Sequence, residues 1–225
     1  LLSYYLHLSR SEIILSRKRI LSDRETEVIF NAFSHLENGE PPQYITGTAY
    51  FYGLELKVNP AVLIPRPETE RLVELTLGRL KGTERILDMG TGSGAIAIAL
   101  KHNLPSLNVS ATEISSSALE TAKMNAERYQ AEIHFYLSDC FPSIKQSYDV
   151  LISNPPYISK AEFVTLDGRV KDKEPIIALA GGEDGLDFYR KLLSQSSDYL
   201  SENGFLALEH SDTQRAAIKK KKKKE

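Results

Sequence analysis

Residues 86–94 read Ile86-Leu87-Asp88-Met89-Gly90-Thr91-Gly92-Ser93-Gly94. Aliphatic residues lead into an acid, and glycines then alternate with small polar residues, the pattern of a buried strand turning sharply into a helix. Glycines at such a turn let the backbone pass close to a ligand, and the first amides of the following helix lie open as donors. A tight structural turn uses the same residues, so this loop takes its meaning from its surroundings. On either side, short β-branched or aliphatic segments at 84–89, 107–113, 132–137, 148–153 and 205–210 predict strands. Helical patterns fall between them near 93–103, 115–128 and 184–201, with Asn203 and Gly204 as the stop of the last helix. Strands alternating with helices predict an α/β fold with a doubly wound sheet.

Ahead of this region, apolar residues at three- and four-residue spacing over 4–37 predict short amphipathic helices, with Ser22 and Glu25 as a capping box for the last of them. Gly39, Pro41 and Pro42 break that pattern, and the aromatic and β-branched stretch from Tyr44 to Ile64 predicts a hairpin. The expected organisation is a helical domain over 1–40, a linking hairpin over 41–66, the α/β domain over 67–218 and a lysine tail over 219–225.

With 225 residues the chain has length for one ordinary domain and a smaller appendage. No apolar run approaches the ~18 residues of a membrane span. The lone cysteine, Cys140, excludes an internal disulfide and fits a reducing compartment. His102, His134 and His210 have no companions at metal spacing, so no metal is expected. The formal net charge is −2; residues 219–225 hold six lysines and one glutamate, or +5, so the rest carries −7. That balance disfavours a grip on nucleic acid, which needs a basic face. The lysine run itself is assigned no function.

Three acids stand at successive predicted strand ends: Asp88, Glu113 and Asp139. A carboxylate at Asp88 suits the ammonium of a methionine moiety and would repel a pyrophosphate, which favours S-adenosylmethionine over a dinucleotide. Glu113 stands where α/β nucleotide binders hold ribose hydroxyls. Asp139 can accept from an adenine amino group, with Cys140 and Phe141 beside it. Each acid alone is more often a solvated loop residue; three at successive strand ends point to a ligand.

The strand at 148–153 runs into Asn154-Pro155-Pro156-Tyr157. Two prolines stiffen the backbone and remove two donors, leaving carbonyls as outward acceptors. The Asn154 side-chain oxygen and the Pro155 carbonyl can together receive both hydrogens of a planar NH2 group, while Tyr157 offers a ring face to the plane behind it. A Pro-Pro pair also simply ends strands, but here it shares the carboxyl edge of the sheet with the glycine loop, Glu113 and Asp139.

Taken together, the chain resembles the HemK or PrmC family, the protein-(glutamine-N5) methyltransferases of class-1 peptide-chain release factors. The glycine loop and Asn154-Pro155-Pro156-Tyr157 are shared with adenine-N6 and other amino methyltransferases. More specific are Pro42-Gln43-Tyr44-Ile45-Thr46-Gly47, Phe51, Gly53, Leu63-Ile64-Pro65-Arg66-Pro67-Glu68-Thr69-Glu70, Glu174-Pro175, Ala178-Leu179, Gly181-Gly182, Asp184-Gly185 and Leu208-Glu209-His210. The resemblance implies a Rossmann-like class I S-adenosylmethionine-dependent methyltransferase domain of seven strands, joined by the hairpin to a small helical domain. It implies S-adenosylmethionine as cofactor, S-adenosylhomocysteine as product, and the glutamine of a release factor's Gly-Gly-Gln motif as substrate. Asn154, Pro155, Pro156 and Tyr157 are then the catalytic and substrate clamp, with Arg66 and Glu68 on the substrate side. Asp88, Gly90, Thr91, Gly92, Ser93, Gly94, Glu113, Asp139, Cys140 and Asn154 line the cofactor.

Glu113 replaces the family's usual aspartate, and Cys140 stands where a larger residue is common. Measured against the family, both ends look shortened, without the last strand pair. A cytoplasmic monomer that holds no stable nucleic acid and no membrane is expected. The competing expectations are methylation of an exocyclic amine of adenine or guanine in nucleic acid, and a catalytically dead binding module.

Overall fold

The computed structural model describes residues 1–222. Its first segment forms α1 (Leu2–Leu6), α2 (Arg10–Leu15) and α3 (Asp23–Glu37). Ser9 and Ser22 open the latter two through reciprocal capping boxes with Glu12 and Glu25. The turn α4 (Pro42–Thr46) begins with proline at its first position and ends at Gly47, whose φ of 69° only glycine adopts at no cost.

The hairpin is shorter than the expected 44–64. Only β1 (Thr48–Phe51) and β2 (Leu54–Lys57) pair, antiparallel, across a two-residue turn with Tyr52 and Gly53 both at positive φ. Residues 42–46 are helical because Pro42 presets φ, and 58–66 run as turn and coil into α5 (Pro67–Leu77).

Beyond α5 come β3 (Arg85–Met89), α6 (Ala95–Asn103), β4 (Asn108–Glu113), α7 (Ser116–Arg128), β5 (Ile133–Leu137), β6 (Tyr148–Ser153), α8 (Lys160–Thr165), α9 (Gly168–Lys171), α10 (Asp187–Gln195), β7 (Leu200–Leu208) and α11 (Arg215–Lys222). The strands form one parallel sheet in the order β5-β4-β3-β6-β7, so the order reverses beside β3. A crevice opens at such a switch point, outside the carboxyl ends of the strands. Alternate residues feed two cores: Ile86, Val109 and Ile152 pack with α6 on one face, Leu87, Met89 and Leu151 with Leu192 and Leu193 of α10 on the other. Burial of each such side chain contributes about 1.5–3 kcal/mol, and slipping a strand by one residue would exchange the two faces, so register is tightly set.

One expectation fails at the carboxyl-terminal strand. The helix predicted over 184–201 ends at Gln195, followed by a 3₁₀ turn over Ser196–Asp198. Asn203 and Gly204 stop no helix; they lie inside β7, within an irregularity that carries its pairing from Tyr148–Leu200 to Val150–Phe205. Gly204 is required there because a Cβ would come within 2.9 Å of the Asp149 carbonyl. Of the lysine tail, residues 223–225 lie outside the described residues. Among the described residues no helix is long and apolar enough to cross a membrane.

Candidate active site

The three glycines of the loop do different work. Gly90 and Gly92 have φ of 69° and 57°, and a Cβ on either would project into open space, which is the crevice itself. Gly94, at φ 83°, precedes α6, and a Cβ there would meet Ile98 at 2.9 Å and Ala122 at 3.3 Å. It lets α6 close on α7 and does not line the crevice, contrary to its expected cofactor role. Thr91 and Ser93 line a neighbouring cleft, with Phe51, Pro65 and Thr69.

Asp88 also departs from expectation. It stands on the same face of β3 as Ile86, toward α6, and its carboxylate is fully buried beneath the loop, outside the crevice walls. The Thr91 hydroxyl donates to one oxygen at 2.6 Å, whereas the other receives no hydrogen bond of normal geometry. Burial pushes the carboxyl up to about 7, opposed by the Thr91 hydroxyl and the nearby Ala97 amide at the start of α6. As folded here, Asp88 holds the loop from beneath through Thr91.

Glu113 ends β4 on the crevice wall and is held by backbone amides on both oxygens: Gly92 donates to one at 2.9 Å, Ile114 and Ser115 to the other at 2.9 and 3.0 Å. Asp139 follows β5, is exposed, and pairs with Lys191 of α10. Cys140 beside it is buried at φ 75°, a conformation that costs a non-glycine residue about 1–3 kcal/mol and gathers at functional sites. Burial pushes its thiol up to about 12, so it stays protonated and is no nucleophile. With Ala61, Val62, Ile114, Ala118, Ile177 and Phe188, these residues make a mostly apolar slot with acids along one side.

Asn154 stands where the three clefts of this edge meet. Its amide nitrogen donates to the Thr69 hydroxyl at 2.9 Å, and among the described residues no donor reaches its side-chain oxygen or the Pro155 carbonyl. The expected acceptor pair is thus free to receive hydrogens. Tyr157 is half-buried, its phenol pushed up by burial and by the neighbouring Glu209 carboxylate, to which it donates at 3.5 Å. Arg66 lines the cleft of Asn154, Pro155 and Tyr157, but its guanidinium is tied to Glu174 at 2.5 Å, a buried carboxylate that also accepts from the Ile64 amide at 3.1 Å. Glu68 lies outside the cleft walls: in the first turn of α5 it is exposed and reaches Tyr157 and Glu209 only through its charge.

Several supports carried no role in the sequence reading. The segment 174–185 braces the clamp from behind, the Ile158 amide donating to the Leu179 carbonyl at 3.0 Å and the Gly181 amide to the Ile158 carbonyl at 2.8 Å. A Cβ on Gly181 would come within 2.8 Å of the Pro156 carbonyl, and one on Gly185 would collide with that of Tyr157. The buried Gln214 amide joins the Tyr157 and Gly185 carbonyls at 2.8 and 3.1 Å. Glu174, Gly181, Gly185 and Glu209 stood in the sequence only as members of a family pattern; Lys191, Phe188 and Gln214 carried no signal. Among the described residues no cluster of three or more His, Cys, Asp or Glu side chains is placed to hold a metal ion.

A sulfonium nucleoside fits these residues, since the two open glycines offer backbone, Glu113 offers carboxylate, and the slot is apolar. The fold agrees: a methyltransferase from Pyrococcus furiosus superposes with TM-score 0.59 at 22% identity, covering 91% of this chain and 87% of that one. A ribosomal protein L11 methylase from Lactobacillus delbrueckii subsp. bulgaricus gives 0.52 at 21%, covering 69% and 67%. The family model for the methyltransferase small domain matches residues 69–167, and that for the PrmC N-terminal domain matches 1–47. The release factor glutamine methyltransferase of Streptococcus pneumoniae is 42% identical over 205 residues, spanning 90% of this chain and 74% of that protein. The enzyme of the same name from Lactococcus lactis is 44% identical, spanning 87% and 72%, and that from Neisseria gonorrhoeae 46%, spanning 81% and 67%. The chain belongs to the family of release factor glutamine methyltransferases, S-adenosylmethionine-dependent enzymes.

Proposed function

We infer that this chain methylates the side-chain amide nitrogen of the glutamine in the Gly-Gly-Gln motif of a class-1 peptide-chain release factor. The observation that carries this reading is the pair of free acceptors, the Asn154 side-chain oxygen and the Pro155 carbonyl, at the junction of the glycine-loop crevice and the cleft behind Tyr157. Bound S-adenosylmethionine supplies an electrophilic sulfonium methyl. Gly90 and Gly92 would admit it along the backbone, Glu113 would meet its ribose hydroxyls, and Asp139 with Cys140 would border its adenine. Asp88 and Thr91 hold the loop, and Ser93 anchors it to Asn125 through a hydrogen bond of 2.9 Å.

A carboxamide nitrogen is a poor nucleophile because its lone pair is shared with the carbonyl. Asn154 and Pro155 accept its two hydrogens, which fixes the nitrogen in line with the methyl and favours the positive charge that develops on it. The cofactor would supply its methyl to that nitrogen and keep the carbon–sulfur electron pair as the neutral thioether, and the surplus proton on the nitrogen would pass to water. Tyr157 and Pro156 flank the amide plane, while Arg66, fixed by Glu174, shapes the approach. The enzyme works as a cytoplasmic monomer without stable nucleic acid; the −7 balance outside the lysine run supports the last point.

The test is transfer of labelled methyl to an intact release factor, to one with the Gly-Gly-Gln glutamine replaced, and to bare DNA and RNA. Labelling of the intact factor alone is expected. Equal labelling of both factors, or preferential labelling of nucleic acid, overturns the reading.

A further inference from the structure

An amide clamp needs more than an asparagine in the right place, because a carboxamide is nearly the same shape either way round. Flipped by half a turn, Asn154 would present its NH2 to the substrate NH2, donor against donor. The contact at its other end does not by itself choose, since the Thr69 hydroxyl can donate or accept. A group that only accepts must break the tie, and Glu209 lies at the required place. It follows β7 just past Leu208, its backbone pinned by the Glu209 amide donating to the Ser153 carbonyl at 3.0 Å and by the Tyr189 hydroxyl donating to the Glu209 carbonyl at 2.5 Å. Its carboxylate faces Thr69, Tyr157 and Asn154; one oxygen accepts from the Tyr157 hydroxyl at 3.5 Å, and the other is buried without a hydrogen-bond partner.

We propose that Glu209 and Thr69 are positioning residues that set the polarity of Asn154. In this relay the unpartnered buried oxygen of Glu209, when the carboxylate is ionised, takes the hydrogen of the Thr69 hydroxyl, the Thr69 lone pair accepts the Asn154 NH2 at 2.9 Å, and the Asn154 oxygen is left facing the substrate amide. The proposal rests on the amide-clamp reading of Asn154 and adds to it the source of its orientation. Thr69 is suited to the relay because it sits buried in the first turn of α5, one residue from the exposed Glu68. The titratable groups facing the carboxylate are Glu68 from α5, Tyr157 from the clamp loop and Tyr189 from α10. Burial is the largest influence on Glu209 and Glu68 adds to it, both raising its pKa, so the relay fails on acidification earlier than an ordinary glutamate would.

The experiment compares Thr69→Val, Thr69→Ser, Glu209→Gln, the double variant Thr69→Val/Glu209→Gln and Asn154→Ala, reading steady-state transfer to a release factor and, separately, cofactor affinity by calorimetry. Thr69→Val is expected to lower kcat/KM by about ten- to a hundredfold with cofactor affinity kept, and Thr69→Ser to restore it. The double variant should lose little more than the worse single one, because both cut one relay. The wild type should lose kcat/KM as pH falls through the Glu209 pKa, a limb that Glu209→Gln removes. Near-normal transfer by Thr69→Val, additive losses in the double variant, or an unchanged acid limb in Glu209→Gln overturns the relay. Near-normal transfer by Asn154→Ala overturns the clamp reading itself; an inactive Asn154→Ala beside a fully active Thr69→Val removes the relay alone.

Discussion

The two halves of the site are built in opposite ways. The glycine-loop half is local: Asp88, Thr91 and Gly92 lie within a few residues of one another, and Glu113, one strand away, closes the set through backbone amides. The amide-clamp half is assembled from afar. Asn154 depends on Thr69, and Tyr157 on Glu209, Gln214 and Gly185, with Glu174 reaching back to Ile64 and Arg66. A loop that holds a constant cofactor can be made from one turn, because what it must present is backbone. A clamp that aims two acceptors at a foreign amide must fix a side-chain orientation, which takes groups on several sides.

The largest expected effect falls on the distant half. Asn154→Ala should lower transfer by about a hundred- to a thousandfold while cofactor affinity stays within about tenfold, since the lost contacts are to the substrate amide. A cofactor affinity that falls in step with turnover would mean the halves are not separable. Next comes Gly185→Ala, whose added carbon meets the Tyr157 carbonyl at φ 76°. It should cost ~1–3 kcal/mol in stability and raise KM for the release factor more than that for the cofactor. Thermal melting together with paired KM measurements checks this, and a selective rise in the cofactor KM would place the brace on the wrong half.

Glu113→Ala should act the other way, weakening cofactor binding by ~1–3 kcal/mol in calorimetry with a smaller effect on release-factor KM. The last comparison reads stability alone and concerns Asp88→Asn without cofactor. The carboxyl is raised to about 7 in the fold, so between its unfolded pKa near 4 and pH 7 the folded state holds more protons and stability falls as pH rises. The variant should therefore gain melting temperature over the parent at pH 8 and lose that advantage near pH 4. Parallel pH profiles would show that Asp88 is ionised beneath the loop at no cost.

The same contrast explains what could be read in advance. Strand positions 84–89, 107–113 and 148–153 were legible within a residue or so because both faces of each strand are buried, and 132–137, a half-exposed edge strand, because its β-branched and aromatic residues stand between turn signals. Of the strand after residue 200 only 205–208 was legible, because Asn203 and Gly204 carry a helix-stop signal that pairing with β6 overrides. Asp88 was assigned to the ligand on its spacing, yet whether a strand residue faces crevice or core depends on which way the alternation of β3 meets α6. Glu68 and Thr69 are neighbours in the chain, and only the first turn of α5, placed beside Asn154, puts the hydroxyl inside and the carboxylate in solvent.

Spacing and residue type alone therefore determined the α/β alternation, the open glycine turn and the stiff acceptor loop, because each is a property of consecutive residues obeying local steric and hydrogen-bonding rules. Which acid meets a ligand, which glycine serves packing, and what holds Asn154 the right way round came from the packed fold. Those outcomes depend on segments up to about a hundred residues apart meeting at one sheet edge, and no local rule carries information across that distance.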